Sequence, residues 1–163
     1  MSEFPCKFTI EEQATIDSAR DILRRAEQAG AKIGPDAPAL DAILTGLCFE
    51  YGPLERENCG AIFLDAHSRL VDVAHIAQGD LTSVPVYYRE LMELALSSRA
   101  VNVILWHSHP SGDSTPSDAD IRATKAASTI LAPFQINLLD HYVLSSGGYT
   151  SIGDYIQKRG RKP

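Results

Sequence analysis

Thiolate chemistry has little to work with in this chain. Of its 163 residues only Cys6, Cys48 and Cys59 are cysteines, an odd number with no Cys-x-x-Cys pair. This argues against a disulfide framework and against a cysteine-ligated zinc site, and it fits a reducing compartment. Long apolar runs are missing as well, so no segment has the length needed to span a bilayer. The start, Met-Ser-Glu-Phe-Pro-Cys-Lys, lacks a basic stretch followed by an apolar one, so no leader is expected and the cytoplasm is the expected location. Positive charge is scarce: 15 basic residues face 21 acidic ones, for a net charge of −6. Four of the basic residues crowd into Lys158 to Pro163, which leaves residues 1–157 with 11 basic against 21 acidic, a net charge of −10. A body so acidic repels a phosphate backbone, and nucleic acid is expected to bind weakly at most, through the tail. A short charged end is more simply read as solvated.

What remains is globular in composition, with 44% hydrophobic and 22% charged residues, and of a size that suits one catalytic domain. Neither an internal repeat nor a low-complexity stretch interrupts it. Ile16, Ala19, Ile22, Leu23 and Ala26 recur at helical steps, which predicts a helix over Ile10 to Ala29 ended by Gly30. A second helix is predicted over Ala37 to Phe49, stopped by Tyr51-Gly52-Pro53. These two are too short to enclose a core, so they are expected to pack on the remainder or on another subunit.

From Cys59 the pattern changes to short apolar runs. Strands are predicted over Cys59 to Leu64 and Leu70 to Ala77 around the turn Asp65-Ala66-His67-Ser68, then a helix over Tyr87 to Ser98. The near-continuous apolar run Val101 to Ser108 suits a central strand covered on both faces. A helix from Ser117 to Leu131, strands over Ile136 to Leu144 and Tyr149 to Ile152, and a terminal helix from Asp154 complete the order. The expected fold is α/β (α+β), a mixed β-sheet covered by helices, with an N-terminal helical appendage over residues 1–53. Residues 54–157 form the expected catalytic domain and 158–163 a basic tail.

The chemistry gathers where the central strand ends. His107 and His109 stand two apart, so in extended backbone both rings lie on one face and can reach one ion. Seven residues rich in Pro, Gly, Ser and Asp separate His109 from Ser117, enough for a turn that returns Asp120 over the strand end. Two imidazoles and one carboxylate leave a coordination position open, which is the pattern of catalytic rather than structural zinc. Ser117-x-x-Asp120 at a helix start is also what capping chemistry produces. Were Thr115 the cap, with Pro116 at the first helical position, Ser117 and Asp120 would be free to face the metal. A hydrolase also needs a carboxylate that does not bind metal, and Glu50, Glu55 and Glu57 are the upstream candidates. Spacing alone does not choose among them. Asp140-His141, in an apolar strand, reads as a hydrogen-bonded core histidine ahead of a second-sphere partner of the metal. His67 and His75 have no ligand spacing with anything nearby. Trp106 should point away from the histidine face, and Cys59 should be a buried strand thiol.

His107-x-His109-Pro110 followed by Ser117-x-x-Asp120 resembles the JAMM (MPN-plus) metallopeptidase signature, complete at its fixed positions. The flanking His-x-His-Pro-Ser-Gly-Asp, Leu139-Asp140-His141, and Gly79 ahead of Arg89-Glu90 resemble the RadC-like JAB domain within that superfamily, over about residues 54–155. The resemblance implies a JAMM/MPN, cytidine deaminase-like architecture and one Zn2+ held by His107, His109 and Asp120 with a water as fourth ligand. It also selects Glu57 as general base, and with it a mechanism. The metal-activated water loses its proton to Glu57 and attacks a peptide or isopeptide carbonyl, Ser117 and the metal steady the oxyanion, and Glu57 protonates the leaving amine. The expected partner is a protein or peptide substrate, with no membrane, and self-association is left open.

Some residues depart from the RadC-like pattern. The helix-hairpin-helix region that often precedes the domain is not evident in residues 1–53, Tyr87-Tyr88 stands where His-Pro is usual, and Asn58-Cys59 replaces bulkier apolar residues after Glu57. Substrate choice is therefore expected to differ. The alternative reading is an accessory protein of DNA repair or mobile elements that binds nucleic acid or a protein partner, with the metal site non-catalytic. Base deamination is set aside, because its His-x-Glu and Pro-Cys-x-x-Cys are absent.

Overall fold

The computed structural model describes residues 32–34, 38–79 and 84–160. The helix expected over Ile10 to Ala29 lies outside them. Helix α1 (Pro38–Tyr51) leads into the hairpin β1 (Asn58–Leu64) and β2 (Leu70–Gln78), followed by α2 (Val84–Ser97), β3 (Asn102–Ser108) and α3 (Asp118–Leu131). After a 3-10 turn at Ala132–Phe134 come β4 (Asn137–Ser145), β5 (Gly148–Ser151) and α4 (Ile152–Gly160). The five strands form one sheet in the order β2-β1-β3-β4-β5. β3 and β4 run parallel, and every other neighbouring pair is antiparallel. This is the mixed, helix-covered sheet expected from the residue pattern, and its elements start and stop within a few residues of the expected positions.

Two apolar layers enclose the sheet. Leu40, Ile43, Leu44, Leu47 and Cys48 recur at helical spacing on α1 and meet Ile62, Leu64, Ile104, Trp106, Tyr142 and Leu144. On the other side Leu91 and Ala95 of α2, with Ala127 and Leu131 of α3, cover Cys59, Ala61, Phe63, Val103 and Leu105. α1 thus shares a core with the sheet. Because β3 is central and buried at all seven positions, alternate residues feed different layers, and Trp106 and His107 face opposite ways.

Trp106 lies against the hairpin at the cost of a side chain. A Cβ at Gly60 would stand 2.4 Å from the indole and 2.1 Å from the Ala74 carbonyl oxygen, so only glycine fits there. The turn between β1 and β2 is held by the Asp65 carboxylate, which accepts the backbone N–H groups of His67 and Arg69 at 2.8 Å each, while Ser68 takes a left-handed φ of 57°. His67 is exposed in this turn. His75, on the edge strand β2, stacks on Tyr51 and bonds the Asn58 side chain at 3.0 Å, away from the other histidines.

The end expected to be solvated and irregular is helical through Gly160, and the Arg159 guanidinium donates to the Asp118 carboxylate at 2.8 Å. Asp140 anchors this helix to the sheet: its carboxylate accepts the Ser151 hydroxyl at 2.6 Å and the Gly153 N–H at 3.2 Å. Among the described residues no helix is long and apolar enough to cross a membrane.

Candidate metal centre

β3 delivers His107 and His109 to one rim of the sheet, and the following loop is built to turn back. His109 N–H donates to the Leu144 carbonyl at 2.8 Å, prolonging the parallel pairing by one residue. Gly112 then takes a positive φ of 78° and returns its N–H to the His109 carbonyl at 3.3 Å. The Asp113 carboxylate accepts the Thr115 N–H at 2.8 Å, and Ser114 pairs with Thr150 of β5 at 2.8 Å. The loop so fixed sets the N-terminus of α3 over the strand end.

The cap is Ser117, where the sequence had made Thr115 a contender. Ser117 Oγ accepts the Asp120 N–H at 3.1 Å, and the Asp120 carboxylate accepts the Ser117 N–H at 2.7 Å, a reciprocal capping box. Pro116 stays outside the helix, which starts at Asp118. Capping and the metal site therefore share residues. Asp120 Oδ2 is the capping oxygen, taking the Ser117 hydroxyl too at 2.7 Å, and Oδ1 lies 3.3 Å from His107 Nε2.

His107, His109 and Asp120 bring ligand atoms within 4.8 Å of one another in a group able to hold a metal ion. The two Nε2 atoms are 3.1 Å apart, and His109 Nε2 lies 3.5 Å from Asp120 Oδ2. The hydrogen-bond partners test whether these donors suit a cation. His109 Nδ1 stands 2.9 Å from the Asp113 carbonyl oxygen, which can only accept, so Nδ1 carries the hydrogen. The neutral ring then turns a bare Nε2 lone pair toward His107 and the carboxylate. Lone pairs converging in a buried place are what a divalent cation satisfies, and nitrogen with carboxylate oxygen is a donor set for zinc.

Electrostatics agrees with a site that attracts positive charge. Burial pushes the Asp120 carboxyl up, but the His107 and His109 rings beside it, helped by Ser117, outweigh it and hold the group well below the usual carboxylate range. The hydrogen bond to Asp120 raises His109 above its ordinary value, with burial opposing and the Asp113 carbonyl and Glu57 adding to the rise. Burial drives His141 well below the ordinary histidine value, so it is neutral.

The three upstream glutamates differ in their surroundings. Cys59 pairs with His107 across the β1 and β3 ladder, and continuing that register puts Glu57 opposite His109. Glu57 is half-buried, its carbonyl accepts the Gly79 N–H at 2.8 Å, and its charge is felt at His109. Glu50 belongs to α1 and acts on His75, and Glu55 is exposed in the turn ahead of β1.

A family model described as RadC-like JAB domain matches residues 39–159. This chain belongs to that family. RadC-like relatives include a UPF0758 protein of Janthinobacterium sp. (strain Marseille), 32% identical over 87% of this chain and 63% of the relative. Those of Chromobacterium violaceum and Cupriavidus pinatubonensis are 33% and 34% identical, over 86% and 88% of this chain and 63% and 61% of their own length. The chain thus spans less than two thirds of the length of these curated RadC-like proteins.

Two further residues of this RadC-like domain touch the ligands. His141 Nε2 lies 2.8 Å from His107 Nδ1, and His141 Nδ1 lies 2.7 Å from the Thr124 hydroxyl, which also reaches the Asp120 carbonyl at 2.7 Å. Asp140, read from the sequence as one unit with His141, points the other way, into the α4 anchor. The signal for His141 was a histidine in an apolar strand, which must find a partner when buried. For Thr124 the residue pattern held no signal.

Proposed function

We propose that this domain is a zinc-dependent hydrolase of peptide or isopeptide bonds, acting on a protein or peptide substrate in the cytoplasm. The observation that carries the reading is the meeting of His107 Nε2, His109 Nε2 and the Asp120 carboxylate in one group able to hold a metal ion. His107, His109 and Asp120 hold the metal. A zinc ion bound there supplies Lewis acidity and brings the pKa of water toward ~7.

Glu57 accepts a proton from the attacking water and returns it to the leaving amine, a role that suits a carboxylate beside the metal ligands but not among them. The Ser117 hydroxyl turns from Asp120 Oδ2 to donate to the oxyanion, and its place as N-cap puts it within the same cluster. The accessory reading in DNA metabolism draws less support. The body is acidic, and Arg159 of the basic end is engaged by Asp118.

Metal analysis of the purified protein, joined to cleavage of a broad peptide and isopeptide library, tests the proposal. Stoichiometric zinc with cleavage that needs Glu57 supports it, whereas zinc-loaded protein inert toward every member removes the hydrolase reading. A DNA affinity that falls steeply with salt and vanishes on deleting residues 158–163 supports the accessory role instead.

A further inference from the structure

We propose that Thr124 and His141 are positioning residues that lock His107 into the tautomer whose Nε2 is bare for a cation, and that they tie the strand ligand to the helix ligand. The proposal rests on the metal-binding part of the reading above and not on hydrolysis. The Thr124 hydroxyl has one hydrogen to give. Thr124 Oγ1 lies 2.7 Å from the Asp120 carbonyl oxygen and 2.7 Å from His141 Nδ1. The carbonyl can only accept, so the hydroxyl hydrogen is spent there, and His141 Nδ1 must donate to the Thr124 oxygen.

His141 is 2% exposed, and among the described residues neither of its ring nitrogens is bonded to a carboxylate. A ring so placed keeps one N–H, which is already committed at Nδ1. Its Nε2 is then an acceptor, and among the described residues the group offered to it is His107 Nδ1 at 2.8 Å. His107 therefore carries its hydrogen on Nδ1 and presents a lone pair at Nε2, where Asp120 Oδ1 stands at 3.3 Å and His109 Nε2 at 3.1 Å. The opposite arrangement, with the Thr124 hydroxyl turned to His141, puts a hydrogen on His107 Nε2 and blocks the cation. One helix hydroxyl thus sets the proton on a strand imidazole two hydrogen bonds away, and the same hydroxyl grips the backbone of the helix ligand. Such partners, bonded to the far side of a ligand, fix its orientation and basicity.

Nitrogen-15 spectra of the histidine rings in metal-free full-length protein at mildly alkaline pH read the tautomer directly. Wild type should show His107 protonated at Nδ1. Thr124→Val, which keeps the shape but removes the acceptor, should bring up the Nε2-protonated form and weaken Zn2+ binding by about 10- to 100-fold in chelator competition. Thr124→Ser should restore both readouts, which a general loss of packing in the valine variant would not predict. His141→Gln, able to accept from His107 and donate to Thr124, should hold zinc better than His141→Leu. An Nε2-protonated His107 in wild type, or a Thr124→Val protein with unaltered tautomer or unaltered zinc affinity, overturns the proposal. Because the ring signals need neither metal nor substrate, a protein with the expected tautomer that hydrolyses nothing defeats the hydrolase reading and leaves this one standing.

Discussion

Cys59 lies directly across the ladder from His107, and the same register carried past the strand ends brings Glu57 level with His109. In an antiparallel pair opposite residues share a face, and the Glu57 charge is felt at His109.

Glu57→Gln should therefore separate binding from turnover. The amide keeps size and polarity but cannot take a proton, so the variant should hold the same zinc stoichiometry by elemental analysis while cleaving about 10²- to 10⁴-fold more slowly. Unaltered cleavage by the purified, zinc-loaded variant would remove Glu57 from its role.

Asp120 caps the helix through Oδ2 while both its oxygens face the histidines, Oδ1 toward His107 and Oδ2 toward His109, and substitution should tell these duties apart. Asp120→Asn retains an oxygen to accept the Ser117 N–H, so the fold should survive while the zinc affinity falls. Ser117→Ala should cost about 1 kcal/mol through loss of the cap, read from urea denaturation of metal-free protein.

Protons compete with the cation for His109. Its pKa is raised above the ordinary histidine value, first by the hydrogen bond to Asp120, so in metal-free protein the protonated ring is the stabilised one. The stability it contributes is fully present below the unfolded value of 6.5 and is lost as pH rises through the folded value. Metal binding runs the other way, since the proton must leave first, and zinc affinity should fall as pH is lowered toward 6.5 and below. Thermal midpoints of metal-free protein and chelator competition across the same pH range should show these opposite slopes.

Gly60→Ala should destabilise the sheet without touching a ligand. The new methyl collides with the Ala74 carbonyl and the Trp106 ring, an overpacking that costs about 1–3 kcal/mol. A denaturation midpoint equal to wild type would show that the hairpin shifts freely.

Most of the fold was legible because period and punctuation agree along the chain. The apolar run from Val101 to Trp106 suits a covered central strand, and the Pro, Gly, Ser and Asp after His109 suit a turn. The choice between Thr115 and Ser117 as cap was not legible, since both are good caps and the difference lies in which backbone N–H each hydroxyl meets. His141 was undervalued for another reason. Its place beside the ligands comes from the parallel pairing of Leu105 with His141, a register set by packing between strands far apart in the chain. Glu57 is singled out by family likeness alone, since spacing does not choose among the upstream glutamates.

The indole of Trp106 is the chain's single tryptophan, fully enclosed, with a ring nitrogen that has no hydrogen-bond partner among the described residues. It is also the residue joined to His107. Nature has thus wired a fluorophore to the underside of the metal group. Its emission, blue while the sheet is closed and red once water enters, follows the ligand strand without any added label.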